Sequence, residues 1–335
     1  MNTSSNTETV SNPQLDLSKF RTVQPTFFIA RLLLLLLLGC CGIVGIIITH
    51  GVYSLLSQIL VALVMAHGTE LAHQCIHRTG TGSAFWDRAI GIVLCWPTTV
   101  CFSYYKWFHL WHHKKNGSNE DIESFGYTYL LMQNGSLAVR LTGFVRHALM
   151  VEHFVNTLRR FYLAICGKLV DRLRGEMPQM SLSAARRIQR EYLFMIISYL
   201  FVFVCCGLAG ISIIRLWVIP VLFWAPVHAL IELPEHWATA KRPNRNVFEN
   251  TRTIRAGSLA NWFTNANCYH VEHHMHPAIP MQRLDELHAT LLQNGVECRY
   301  LDKGYYLFYR NFFRSLCTGA NYSDTCCRSF KVKKH

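Results

Sequence analysis

Carboxylates are scarce in this chain of 335 residues: 20 Asp and Glu stand against 33 Lys and Arg, for a formal charge of +13. Magnesium and calcium sites are built from oxygen ligands, so the shortage argues against a site made for either ion. The 13 cysteines are odd in number, scattered, and include no CxxC pair. That usage fits neither a zinc ribbon nor a disulfide frame, and reduced thiols in the bilayer or cytosol are expected. Cys40-Cys41 and Cys205-Cys206 fall inside apolar runs, where cysteine behaves as a small hydrophobe. A cleavable signal is not expected either, because a polar stretch of about two dozen residues precedes the first apolar run.

Apolar residues, in contrast, are plentiful, at 51% of the chain. A basic balance alone fits nucleic acid or an anionic membrane surface. The run "RLLLLLLLGCCGIVGIII" (31–48) decides for the membrane and against nucleic acid: it carries no charge after its first residue, and a spanning helix needs roughly 20 apolar residues. A first span is predicted over 27–48, then a turn at His50-Gly51 and a second apolar helix from Val52 into "HGTELAHQCIH". The next segment, "AFWDRAIGIVLCWPTTVCFSYYKWF", holds Pro97 and follows Asp87-Arg88, and reads as surface-lying or re-entrant. Residues 114–190 carry charges every few positions, as amphipathic helices outside the lipid do. Two further spans, 192–214 and 217–231, meet at Arg215-Leu216.

The expected fold is therefore all-α and multi-pass, with four transmembrane helices in two hairpins and a helical cap on one side. Residues 1–24 are expected to be disordered, 25–300 to form the membrane domain with its cap, and 301–335 to be a basic tail. Both termini and the 78–190 region then share a side, and of the 33 Lys and Arg only Arg215 falls on the other. Excess Lys and Arg mark the cytosolic side. Plasma membrane and endoplasmic reticulum both remain open; the terminal "KVKKH" fits a dilysine retrieval pattern or a plain basic tail.

Histidines respect this layout. "YHVEHHMHP" (269–277) packs four into nine positions. His73 and His77 stand one helical turn apart where the second span ends, so they share a face. "HLWHH" supplies His109, His112 and His113, "IELPEHW" puts His236 at the end of the fourth span, and "YHVEHH" adds His270, His273 and His274. All nine fall on the predicted cytosolic face, so one site assembled from four segments is expected. Neutral imidazole suits zinc, copper, iron and nickel alike. Nine ligands exceed the need of one ion, since structural zinc closes with four. They suit two ions of about four or five ligands each, and two irons with dioxygen as co-substrate are the economical reading.

The combination HxxxH, HxxHH, HxxHH in a four-span frame resembles the membrane fatty acid desaturase and hydroxylase superfamily. The likeness covers roughly residues 55 to 290: "HQCIH", "HLWHH" and "HVEHH", with flanks "HHKKNGSNEDIESF" and "NWFTNANCYHVEHHMHPAIPMQRLDELH". It implies two irons held almost wholly by histidine, with His236 as the extra ligand before the last box. "HALIELPEHW" departs from the usual acyl desaturase pattern by carrying Glu232 and, further back, His228, and points to a bacterial-type or specialised-metabolism branch. No HPGG haem-binding stretch and no cysteine set for an iron–sulfur cluster are attached. Electrons must then come from an external ferredoxin- or cytochrome b5-type donor, for which Lys114, Lys115, Arg186, Arg187 and Arg190 are docking candidates or ordinary solvated and lipid-facing charges.

Glu70, Glu232 and Glu235 read either as carboxylates that orient ligating imidazoles or as helix-surface charges. His228, deep in the fourth span, is a functional candidate or a hydrogen-bonded neutral ring. Asn265 and Asn267 are candidates for holding a water at the metals. Glu272 is expected to face solvent, His67 to be packed, and His50, His147, His153, His276 and His288 to be structural or exposed. "FSYYKWFHLW" reads as a tunnel wall or an interfacial aromatic belt. The resemblance implies an oxygen-dependent desaturase acting on a fatty acyl or similar aliphatic chain. The alternatives are a hydroxylase or monooxygenase on the same scaffold and, in a different class, a non-redox zinc-dependent membrane hydrolase or receptor.

Overall fold

A computed structural model describes residues 16–121, 126–239, 244–296, 300–320 and 322. The chain is mostly helical. α1 (Pro25–Ile48) opens with proline at its first turn, where the missing N–H costs nothing. Its 24 residues rise about 36 Å, enough to cross a hydrocarbon layer of about 30 Å. α2 (Gly51–Ile76) runs back along it: Gly39 meets Val64, Gly42 meets Val61 and Gly45 meets Ser57. A Cβ on Gly42 would stand 2.6 Å from Val61 Cγ2, so glycine is what lets these backbones approach.

Next come α3 (Ala84–Cys95), α4 (Phe102–Lys115), α5 (Gly126–Gln133), α6 (Leu137–Ala148), α7 (Val151–Ile165) and α8 (Leu169–Glu176). α7 turns Val155, Leu158, Tyr162 and Ile165 outward in a single stripe, the pattern of a helix lying along an apolar boundary. α9 (Leu182–Leu208) starts earlier than the predicted third span, because Ser181 caps it by accepting from Ala184 N at 3.2 Å. It also stops earlier, at a turn in which Gly210 takes φ +65°. Through a π-helical turn at Ile214–Val218 the chain enters α10 (Ile219–His236), which outlasts the predicted fourth span and ends on a site histidine. Among the described residues, four stretches are long and apolar enough to cross a membrane: Ser18–Ile48, Gly51–Ile76, Leu182–Leu208 and Ile214–His236.

Arg215 joins these helices at their far end from the site. Its Nη2 donates to the carbonyls of Ile46 (2.8 Å) and Thr49 (2.7 Å) and to Ser54 Oγ (3.0 Å), while its own carbonyl accepts from Gln58 Nε2 (3.0 Å). The last carbonyls of α1 have no helical partner and carry partial negative charge, which a guanidinium relieves.

After α10 the chain forms α11 (Val247–Asn250), β1 (Thr253–Ile254), α12 (Ser258–Phe263), α13 (His270–Met275), α14 (Leu284–Gln293), β2 (Leu301–Asp302) and α15 (Tyr305–Thr318). β1 and β2 pair in parallel, Thr253 opposite Leu301 and Ile254 opposite Asp302. One core joins Phe20, Leu233, Trp237, Ile254, Leu287, Phe308 and Phe312. Phe20 lies in the segment expected to be disordered, and α15 in the region expected to be a tail. The aromatics of α15 recur at helical spacing, and that apolar face outweighs the basic charge around it. Residues 1–15 and 323–335, including "KVKKH", lie outside the described residues.

α15 and β2 brace the end of α10. Pro234 lacks an N–H, so the carbonyl of Leu230 loses its helical donor, and the Tyr309 hydroxyl donates to it instead. Tyr129 Oη donates to Leu233 O at 3.2 Å. Arg252, 1% exposed, gives Nε to Pro234 O (3.1 Å) and Nη2 to Trp237 O (2.8 Å), with Nη1 paired to Asp302 Oδ2 (2.6 Å).

Arg215→Met is expected to cost about 2 kcal/mol, because two carbonyls lose a charged donor. The measurement is the thermal midpoint of the detergent-solubilised protein, which should fall by a few degrees; an unchanged midpoint contradicts this role.

Candidate metal centre

Each histidine segment is placed by a separate element: the end of α2 carries His73 and His77, α4 carries His109, His112 and His113, α10 ends on His236, and α13 carries His270, His273 and His274. Glu191 of α9 fixes the start of α4, accepting from Ser103 N at 3.0 Å and Ser103 Oγ at 2.5 Å. Buried Glu272 fixes α13, accepting from Thr253 Oγ1 (2.6 Å) and His288 Nδ1 (2.5 Å). Glu272 therefore does not face solvent. α13 is a single short helix wedged between β1 and α14, so even its outer face is covered.

The nine rings converge, and they divide into two groups. His73, His77, His109, His113 and His273 place ligand atoms within 4.8 Å of one another. Nε2–Nε2 separations are 2.8 Å for His73–His109, 3.1 Å for His73–His273, 3.1 Å for His77–His109 and 2.8 Å for His109–His113. In the second group His236 Nε2 lies 3.2 Å from both His112 Nε2 and His270 Nε2, and His274 Nε2 lies 3.0 Å from His270 Nε2. The groups touch where His113 and His274 stack, centroids 4.1 Å apart. Each HxxHH box is split between them. Its i,i+4 pair serves one group (His109 and His113, or His270 and His274) and its middle ring serves the other (His112, or His273).

Hydrogen-bond partners set the ring tautomers of the second group. His236 Nδ1 faces the carbonyl of Asn250 at 2.9 Å, an atom that can only accept. His112 Nδ1 faces the Asp121 carboxylate at 3.0 Å. His270 Nδ1 faces Asn267 Oδ1 at 3.1 Å, an orientation set by Asn267 Nδ2 donating to Glu235 at 2.6 Å. Protons on all three Nδ1 atoms leave lone pairs on all three Nε2 atoms, which nonetheless face each other at 3.2 Å. Two lone pairs do not make a hydrogen bond; a cation between them removes the conflict. The spacing agrees, because two nitrogens at right angles on one ion, each at about 2.1 Å, stand about 3.0 Å apart. His274 differs in that its Nδ1 faces Asn116 Nδ2 at 3.0 Å, so its proton sits on Nε2; for Nε2 to serve as a neutral ligand the proton would move to Nδ1, with the Asn116 amide turned over to accept it.

Burial pushes His77, His109, His113, His270, His273 and His274 well below the usual imidazole range, and crowding by neighbouring rings adds to it. These rings are neutral at physiological pH, the form a metal requires. The Nδ1 atoms of His113 and His273 are buried with no hydrogen-bond partner.

The remaining candidates are sorted by contact. Glu235 reaches the second group, its Oε2 3.4 Å from His270 Nε2. Asn267 orients His270. Asn265 is engaged elsewhere: it accepts from Arg31 Nη1 (2.6 Å) and donates to Gln74 Oε1 (2.9 Å), tying the turn after α12 to α1 and α2. Glu70 is buried, which removes its surface-charge alternative, and lies 3.6 Å from His228 Nδ1. His228 Nε2 lies 3.1 Å from Glu232 Oε1. His67 is packed, with Nδ1 2.7 Å from Phe263 O and its ring stacked on Trp262.

Asp121, Asn116 and Asn250 were not singled out from the sequence. The signal for the first two lay in the "NGSNED" stretch after the second box. Gly117 locks that loop with φ +74°, and a Cβ there would meet Asn244 O at 1.7 Å, so only glycine lets Asn116 and Asn250 meet.

A family model described as fatty acid desaturase matches residues 50–306. No curated protein matches the chain.

Metal analysis by mass spectrometry is expected to give about two equivalents per chain, falling to about one in His236→Ala or His273→Ala; undiminished content in either variant contradicts the assignment of its group. In the metal-free protein, unfolded rings take up protons below about pH 6.5, whereas the folded rings resist until much lower. The unfolded state thus binds more protons in that window, and stability falls as pH drops through it. The melting midpoint should be lower at pH 5 than at pH 7.5; the reverse order contradicts neutral buried rings.

Proposed function

Because the chain belongs to the fatty acid desaturase family, we propose that it is an oxygen-dependent di-iron enzyme that introduces a C=C bond into an aliphatic chain at the cytosolic face of a membrane. The family is known for di-iron use. The observation that carries the reading is the division of nine histidines into two adjoining nitrogen-rich groups, five and four in number. The four apolar helices form two hairpins, and both termini share the cytosolic side with the site. That orientation is supported by the lone Arg215 at the opposite helix ends.

The reaction balances as follows. A –CH2–CH2– unit gives up two hydrogens, a donor protein supplies two electrons, solvent supplies two protons, and dioxygen leaves as two waters. When bound, the irons supply dioxygen activation and hydrogen removal from unactivated carbon.

What the chain's residues contribute follows from their contacts. His73, His77, His109, His113 and His273 hold one ion; His112, His236, His270 and His274 hold the other, with Glu235 in reach. Asp121, the Asn250 carbonyl and Asn267 keep protons on Nδ1, so that Nε2 stays available and each ring is fixed in direction. Glu70, His228 and the partly exposed Glu232 form a polar string beside the first group and position the neighbouring walls. Burial of the rings excludes bulk water from the reacting carbon. A ferredoxin- or cytochrome b5-type protein delivers the electrons to the basic cytosolic surface, where Lys114 and Lys115 flank Trp111.

Expression in a host of known lipid and metabolite composition tests the reading. A new unsaturated product is expected that requires oxygen and vanishes in His273→Ala. A product formed without oxygen, or made equally by the variant, contradicts it, and a deuterated substrate reports whether the second hydrogen is lost or a hydroxyl is retained.

A further inference from the structure

Beside the centre lies a cavity of about 240 Å³ lined from α4, α6, α7, α9 and α10. Tyr105 connects it to the imidazoles: it lines the cavity, and its ring centroid is 5.7 Å from that of His109 and 6.3 Å from that of His73. Phe108 and Trp224 supply apolar wall, as an aliphatic chain requires. Much of the remaining lining is polar, which an unfunctionalised chain cannot satisfy.

Charge in that lining cancels. Arg146 pairs with Glu152 at 2.5 Å, Arg160 donates to the Tyr104 hydroxyl at 2.8 Å, and Glu232 lies 3.1 Å from His228. Two guanidinium groups thus face two carboxylates, His228 stands between the carboxylates of Glu232 and Glu70, and burial holds His153 at about 4, hence neutral. Nothing here selects a phosphate, a carboxylate or an ammonium.

Hydrogen bonding in the lining is incomplete on the acceptor side. Glu152 Oε2 is buried without a partner. His228, 4% exposed, directs Nε2–H to Glu232 at 3.1 Å. Its Nδ1 has no hydrogen-bond partner, and Glu70 at 3.6 Å is too far to count as one.

We infer that the cavity seats an uncharged, hydrogen-bond-donating group, a hydroxyl or an amide N–H, borne by the substrate chain close to the carbons attacked, with Glu152 accepting from it. The substrate class is then a neutral hydroxylated or amide-bearing amphiphile, modified near its polar end instead of at mid-chain. This deepens the desaturase reading and rests on it for the chemistry, though the binding preference does not depend on the chemistry.

Full-length protein in lipid nanodiscs, with and without metal, is titrated with two probes of equal chain length: N-hexadecanoyl ethanolamine, which donates, and methyl hexadecanoate, which does not. The donor-bearing probe is expected to bind about tenfold tighter, one charged hydrogen bond's effect on affinity. Glu152→Gln should remove most of that preference while metal content stays at the wild-type level. Should that variant fail to fold, the paired titration of wild type remains decisive. Equal affinity for the two probes, binding of neither, or a preference untouched by Glu152→Gln in metal-replete protein overturns the inference. Equal affinity in a protein that still makes an oxygen-dependent product sinks the cavity assignment alone. Retained preference with no oxygen-dependent product sinks the desaturase reading alone.

Discussion

Lone pairs on three imidazole nitrogens point at one another across 3.2 Å inside the protein, each held there by an acceptor on the far side of its ring. Without a cation this arrangement is repulsive, and a set of buried contacts maintains it. Asp121, the Asn250 carbonyl and Asn267 set the protons, Glu272 with Thr253 and His288 sets the short helix, and Glu191 sets the start of α4. A chain selected only for stability would have no use for this conflict. One built to hold metal needs it, because the same lone pairs become ligands.

The scaffold explains how helices of ordinary geometry deliver nine rings to so small a volume. α2 and α10 have their starts tied together through Gln58 and Arg215, so their far ends open side by side. Pro234 frees a carbonyl near the end of α10, and the Tyr309 hydroxyl takes it up, so the break in the ladder becomes a connection to α15. Arg252 adds two further carbonyl contacts at the same place, and Asp302 neutralises it away from water. Breaking such a buried pair strands a charge, so it acts as a constraint on position more than as a source of stability.

Much of this was legible in the sequence. Charge-free runs of spanning length give the helices, and two of the four histidine segments fall where those helices end, the other two on α4 and α13. Three features were not legible, for separate physical reasons. The allotment of each HxxHH box to both groups depends on how two helices face each other, which spacing alone does not contain. Glu272 looks solvated by its position on a helix and is buried, because a helix of six residues can be covered on every side. α15 reads as part of a basic tail by composition, yet Phe308 and Phe312 at one-turn spacing place it in the core. In each case a tertiary contact supplied information that local pattern lacks.

Anaerobic titration of the metal-free protein with ferrous iron, followed by Mössbauer spectroscopy, addresses the central claim directly. Two adjoining imidazole cages predict uptake that saturates at two ferrous ions per chain in nitrogen-rich surroundings. Saturation at one ion, or iron bound only where mutation of these histidines leaves it undisturbed, would contradict the account.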